Sequence, residues 1–226
     1  VVMKVDYNMS DRQSLFVRYY ATHAVVGTPF DGKNPLTETI SGANDLVNSM
    51  VIGHTFIINP TTINSFHITG NRSGVTKTQT PSFDASTLGI NMTTLVPGHL
   101  VATATGAIYS STVFSYAATD PVTAFQAGDD LNMTRGNHQL QFGATWMHSL
   151  QNVYGPLNGD GNFTFSGATT GLSMADFLLG DVSSFTQGGI QYANERYTYI
   201  GAYAQDTWKV TPRLTLNLGI RWEPYF

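Results

Sequence analysis

Leu214-Thr215-Leu216-Asn217-Leu218-Gly219-Ile220-Arg221-Trp222 alternates without a break. One phase is Leu, Leu, Leu, Ile, Trp; the other is Thr, Asn, Gly, Arg. Successive side chains of a strand point to opposite faces, so this stretch is a strand with one apolar and one polar surface. Upstream, Leu140, Phe142, Ala144 and Trp146 oppose Gln139, Gln141, Gly143, Thr145 and Ser149 in the same way. At the start of the chain Val1, Met3, Val5 and Tyr7 oppose Val2, Lys4, Asp6 and Asn8. Leu15, Val17, Tyr19 and Ala21 then oppose Ser14, Phe16, Arg18, Tyr20 and Thr22. Four more stretches, 46–58, 63–72, 122–133 and 196–210, are strand-like with mixed faces. Asp129 and Asp130 fall on opposite faces of the third. In the fourth, Tyr199, Gly201 and Tyr203 oppose Ile200, Ala202 and Ala204, which leaves it unoriented.

Composition agrees with strands that are half greasy and half wet. Charged residues are 12% of the chain, about half the ~25% of soluble domains, and aromatics also reach 12%. Mean hydropathy is -0.08, and no apolar run approaches the ~18 residues a transmembrane helix needs. Net charge is -4, so nothing attracts nucleic acid, whose phosphates require clustered Lys and Arg. Cysteine is absent, which removes thiol chemistry, disulfides and Cys-based metal sites.

The strands pair into hairpins over 1–22, 46–72, 121–149 and 195–223. Their turns, 8–13, Asn59-Pro60-Thr61-Thr62, Thr134-Arg135-Gly136-Asn137 and Thr211-Pro212-Arg213, hold the Pro, Gly and Asx residues that reverse a chain. Between hairpins lie connections 23–45, 73–120 and 150–194, far longer than the ~4–6 residue median of compact domains. Strict alternation of short and long connections is how a transmembrane barrel is strung. The predicted fold is therefore all-β: an antiparallel transmembrane β-barrel segment of about eight strands, with short turns and long extracellular loops. The chain opens at Val1 with neither Met nor signal peptide, and ends at Glu223-Pro224-Tyr225-Phe226 as a strand leaves its pattern. Both ends read as cut, which predicts a fragment and an incomplete, open barrel. In the four clearly phased strands the charges take the polar phase. Lys4, Asp6, Arg18 and Arg221, with Asn217, are thus candidates to face a lumen. A soluble sandwich would also keep charge off its inner face.

Several stretches resemble one family, the TonB-dependent outer-membrane receptors, and especially their Oar-like branch. They are Lys4-Val5-Asp6-Tyr7-Asn8 with Phe16-Val17-Arg18-Tyr19, Asp130-Leu131-Asn132 with Thr134-Arg135-Gly136-Asn137-His138-Gln139-Leu140-Gln141-Phe142-Gly143, and Phe163-Thr164-Phe165-Ser166-Gly167. Ala175-Asp176-Phe177-Leu178-Leu179-Gly180 and the run from Tyr203-Ala204-Gln205-Asp206-Thr207-Trp208 through Trp222-Glu223 complete the likeness. The resemblance implies a middle section of a roughly 22-stranded barrel in the bacterial outer membrane. It further implies a plug domain and energy coupling through TonB; neither a plug nor a TonB-box is recognisable here. The partners it implies are outer-membrane lipid, the missing plug and remaining strands, and the TonB system. The ligand is left open among small molecules, glycans and peptides.

No catalytic set stands out, and no cofactor or metal is expected. His54 and His67 flank one turn, and His138 and His148 lie on one strand, without metal-site spacing or a Cys partner. Asn158-Gly159-Asp160-Gly161-Asn162 is faintly like a Ca²⁺ loop but has Thr169 where the closing Glu belongs. Walker, dinucleotide and nucleophile-elbow motifs are missing. Segment 173–180 spaces Met174, Phe177 and Leu178 helically, with Ser173 to cap it and Gly180 to end it. It would fold over a barrel mouth or simply pack within its loop. Tyr19, Trp146, Tyr197 and Trp222 are assigned to membrane interfaces. Tyr154, Phe163 and Phe165, in the connection with the Gly-rich stretch 155–161, are the candidates for ligand contact. Two other classes stay open: a surface-exposed β-rich adhesion or carbohydrate-binding module, separable by detergent dependence, and a small outer-membrane barrel enzyme, separable by hydrolytic activity.

Overall fold

The computed structural model describes every residue except 30, 32, 35–41, 79, 80, 82, 111–117, 157, 225 and 226. Parts of all three long connections therefore lie outside the described residues. In chain order the elements are β1 (Val2–Ser10), β2 (Gln13–Val26), β3 (Gly42–Asn59), β4 (Thr62–Thr78), β5 (Val101–Ala104), β6 (Ile108–Ser110) and β7 (Thr119–Arg135). β8 (His138–Pro156), β9 (Asn162–Phe165), α1 (Ser173–Leu179), β10 (Ser184–Thr186), β11 (Ile190–Thr211) and β12 (Leu214–Trp222) follow. Eight strands form one sheet in the order β1-β2-β3-β4-β7-β8-β11-β12, each antiparallel to its neighbour. β1 and β12 occupy its two edges, so the sheet is an open wall. A smaller sheet, β10-β9-β5-β6, is built from the long connections.

Residues paired across neighbouring strands share a face, so the register merges the separate alternations. One unbroken row runs Tyr7, Leu15, His54, Phe66, Asp129, Ala144, Ala202, Trp222. Every second row repeats that face, and the apolar phases of β1, β2, β8 and β12 all fall on it. The rows between carry Lys4, Arg18, Ser65, Asp130, Gly143, Tyr203 and Arg221. Pairing also orients β11: Ile200, Ala202 and Ala204 join the apolar face through Trp146, Ala144 and Phe142.

The same row gives the tilt of the wall. It crosses the first hairpin at Leu15, two residues from Gln13, and the second at Phe66, four from Thr62. It crosses the third at Ala144, six from His138, and the fourth at Trp222, eight from Leu214. The short turns thus step by one residue per strand. With ~3.3 Å rise and ~4.8 Å strand spacing, that stagger brings the turns level only if the strands lean by about 35°. This is the inclination of a barrel wall.

Polar exceptions on the apolar face follow a rule of their own. Asp206 meets His138 at 2.6 Å, Asp129 accepts from Asn64 at 2.7 Å, and His54 contacts Gln13 at 3.3 Å. Each partner sits nearer the short turns, so each polar head is drawn toward that edge. The expected exclusion of charge therefore holds in the four phased strands but not in β4, where Arg72 lies on the apolar face, nor in β7 and β11. Tyr19, Trp146 and Trp222 lie on the apolar face. Tyr197, grouped with them from sequence, pairs with Ser149 and lies on the polar face instead.

Strands run past the expected hairpin limits at the long-connection end: β2 to Val26, β7 from Thr119, β8 to Pro156 and β11 from Ile190. There the residue types on the two faces no longer contrast, so the alternation fades while backbone pairing continues. On the polar face, glycines lie under aromatic rings. A Cβ on Gly53 would strike Phe16, one on Gly128 the His67 ring, and one on Gly143 both Tyr203 and the Asp130 carboxylate. Each of the three is the direct cross-strand partner of its ring.

Candidate functional site

The five residues expected to face a lumen share the polar face, but they form two separate groups. Lys4, Asp6 and Arg18 cluster on β1 and β2, where the Lys4 ammonium lies 2.7 Å from Asp6 and 5.6 Å from the Phe16 ring centre. Asn217 and Arg221 sit on β12, at the other edge of the open sheet. Thr207 donates to Asn217 at 2.9 Å, and Arg221 contacts Glu223 and the Tyr199 hydroxyl. Between the groups lies a polar set that sequence did not pick out. Tyr203 donates to Asp130 at 2.6 Å, Tyr199 donates to Glu223 at 2.7 Å, and Gln205 bonds Gln141. The signal was the Tyr199-Gly201-Tyr203 alternation, which lacked only an orientation.

Beyond the wall, connections from β4–β7 and β8–β11 fold together. β5 pairs in parallel with β9, so two distant segments share one small sheet. The connections that form it and surround it hold the buried apolar side chains Ala85, Val96, Val101, Ala104, Ala118 and Phe165, with the buried polar residues Asp84, His99, Asp160 and Asp176. Phe165, expected to contact ligand, is 6% exposed and packs edge-on against Phe177 at 5.2 Å. Its ring is core material, which corrects its assignment as a contact. Phe163 packs on Phe185 at 4.7 Å. Tyr154 belongs to β8 rather than a loop, and tilts against Tyr192. The expected helix forms and ends at Gly180 in the left-handed region. Ser173 does not cap it, because its hydroxyl donates to the Thr105 carbonyl at 2.7 Å.

Three ionisable groups tie this cap. Asp84 accepts from the Gly98 amide at 2.8 Å, the Ser86 hydroxyl at 2.7 Å and the Thr87 amide at 3.0 Å, bonds that hold its pKa down at about 2. Asp176 is fully buried and accepts from the Thr170 hydroxyl and the amides of Thr169 and Thr170, which also lowers its pKa. Burial pushes the His99 imidazole below its ordinary value, against the opposing pull of the Asp84 charge. A depressed His pKa means that the unfolded chain binds the proton first, so stability falls as pH drops below 6.5. Asp84 stabilises fully above its ordinary 3.8, and that contribution is lost as pH falls toward 2. Limited proteolysis of the cap is therefore expected to accelerate in two steps, from pH 7 to 5 and again below pH 4. His99→Leu should remove the first step and keep the second. Equal cleavage at pH 7 and 5 in the unsubstituted protein would contradict this account of His99.

Among the described residues no group of three His, Asp or Glu is placed to hold a metal ion, and no helix is long and apolar enough to cross a membrane. The family model for the outer membrane beta barrel domain matches residues 1–226. The chain belongs to that family. Its place is the bacterial outer membrane, in contact with lipid. No curated protein matches the chain. Among solved structures, this outer membrane beta barrel domain is similar to the outer membrane transporter YddB from Escherichia coli. TM-score is 0.55 at 9% identity, with 99% of this chain and 26% of that chain covered. The barrel domain described here thus spans about a quarter of that transporter's length, and the likeness is one of fold.

Proposed function

We propose that this barrel domain is a section of the wall of a TonB-dependent outer-membrane receptor that moves a ligand across the outer membrane. The apolar face meets lipid, and the polar face, with Lys4, Asp6, Arg18, Asn217 and Arg221, lines the lumen. The cap built from the long connections faces the cell exterior and recognises the ligand, with Phe163 and, from the cap end of β8, Tyr154 as contact candidates. A plug, the remaining strands and the TonB system are supplied by other segments and partners. The chemistry is passive: the wall positions polar groups, and movement is driven from elsewhere.

The observation that carries this reading is the register, which assembles a tilted two-faced wall with every short turn at one end and the folded cap at the other. The resemblance to TonB-dependent receptors supports the energy coupling. In the full-length protein, replacing 155–170 by a Gly/Ser linker should abolish uptake while the barrel still inserts, because that segment supplies β9 to the cap. Rebuilding Asn59-Pro60-Thr61-Thr62 should instead disturb assembly, since that turn fixes the β3–β4 register. Uptake that survives loss of 155–170, or that persists without TonB, would overturn the corresponding part. Protease added to intact cells should cut the cap and spare the short turns; the reverse pattern would invert the wall.

A further inference from the structure

We infer that the polar side of β11 is a binding track for a non-acidic oligosaccharide, entered through a recess at Tyr197. The inference rests on the lumen reading of the polar face and deepens it by naming the ligand class.

The recess has a volume of about 190 Å³ and is lined by Ser149, Gln151, Glu195, Arg196 and Tyr197. It is smaller than the ~300–1,000 Å³ that drug-sized ligands fill, which suits a single saccharide ring. It lies beyond the Trp146 level on β8, toward the cap, where an incoming ligand would arrive. Glu195 brings its carboxylate to this face near the Asp120 carboxylate that Gln151 contacts, whereas the Arg196 guanidinium turns to the other face and contacts Asn152, so an anion is disfavoured. What remains is a mixture of donors and acceptors around one aromatic ring. Gln151 gives its amide N–H to Asp120 at 3.0 Å, leaving its carbonyl oxygen to accept. A carboxylate and an amide carbonyl can each take hydrogen bonds from vicinal hydroxyls, and the serine can donate or accept.

Below the recess the same face carries two more tyrosines. Strand rise sets Tyr199 about 7 Å and Tyr203 about 20 Å from Tyr197. Both lean over glycine: a Cβ on Gly201 would meet the Tyr199 hydroxyl at 2.6 Å, and one on Gly143 would strike the Tyr203 ring. A ring lying over glycine is laid along the wall and turns its flat face outward. The hydroxyls are pinned, Tyr199 to Glu223 and Tyr203 to Asp130. Each ring is therefore a fixed flat surface bordered by a carboxylate. The slightly positive axial C–H groups of a pyranose suit the negative face of such a ring, and its hydroxyls suit the carboxylates beside it.

The test uses full-length protein in detergent micelles and saturation-transfer NMR, with oligosaccharides of glucose, galactose, mannose and N-acetylglucosamine as probes. At least one should receive saturation on its ring C–H protons. Tyr197→Leu, which keeps bulk without an aromatic face, should weaken that binding at least tenfold. Tyr197→Trp should retain it, Glu195→Gln should weaken it several-fold, and Tyr192→Ala on the opposite face should leave it unchanged. Tyr197-dependent transfer to none of the four, or transfer instead to a tri-alanine peptide, would overturn the inference. Binding is measured without an energised membrane, so a failure of TonB-driven uptake leaves this result untouched. Conversely, a protein that transports yet binds no saccharide would lose only the ligand class.

Discussion

Leu218→Arg is expected to block insertion of the full-length protein into lipid vesicles, whereas Asn217→Arg inserts nearly as well as the unsubstituted chain. The two residues are neighbours on β12, so helix or strand propensity, sequence context and distance from the turn hardly differ. Only the face differs. Leu218 pairs with Asp206 on the apolar side, four residues above the turn and four below Trp222. An arginine there, near mid-membrane on the lipid side, costs about 2–4 kcal/mol, which reduces the inserted fraction by tens to about a thousand-fold. Asn217 faces Thr207 on the polar side, and its substitution forfeits one hydrogen bond, worth about 1 kcal/mol. Equal yields for both variants would remove the distinction between the faces.

The second large effect concerns glycine. Gly143→Ala and Gly53→Ala should each destabilise the barrel by about 1–3 kcal/mol in a urea titration, the cost of overpacking. That sign is opposite to the usual gain of about 0.5–1 kcal/mol when glycine inside a strand becomes alanine. The reason is local: the new methyl lands on Tyr203 and Asp130, or on Phe16. Gly70 is the control, since a Cβ there meets nothing closer than Phe125 at 3.9 Å. Gly70→Ala should be neutral or stabilising. Removing the ring should relieve its part of the clash and leave Asp130 free to shift, so Gly143→Ala should cost less in a Tyr203→Ala background. Destabilisation that is the same with and without the Tyr203 ring would refute the pairing.

The sequence made some parts of this molecule plain and hid others for identifiable reasons. β12 and β8 announce themselves because lipid-side Leu, Phe and Trp alternate with Thr, Asn and Gln. β3 and β4 do not, since Val47, Val51 and Ile63 stand on the polar face while His54, Asn64 and Arg72 stand on the apolar one. β11 hid its orientation because tyrosine on one side and Ile and Ala on the other have similar hydropathy; pairing with β8 resolves it. The polar network of Tyr203 with Asp130, and the Gly143 beneath it, joins residues far apart in sequence that no local pattern could connect. The helix was legible from the spacing of Met174, Phe177 and Leu178 and from Gly180. Its neighbours β5 and β9 were not, being four residues each and paired between different connections. Phe165 looked like an exposed contact for the same reason: the small core that buries it comes from two segments at once.

The most direct test of the two-faced wall uses introduced thiols, since residues 1–226 contain no cysteine and any cysteine elsewhere in the protein can be replaced by serine. Single cysteines placed in turn at 215 through 220 in the full-length protein would carry a fluorophore, quenched either by brominated lipid or by aqueous iodide. Labels at 216, 218 and 220 should be quenched by the lipid, and labels at 215, 217 and 219 by iodide. Quenching without a period of two, or with the two sets exchanged, would contradict a wall whose Leu-rich face meets lipid and whose Asn- and Arg-bearing face meets water.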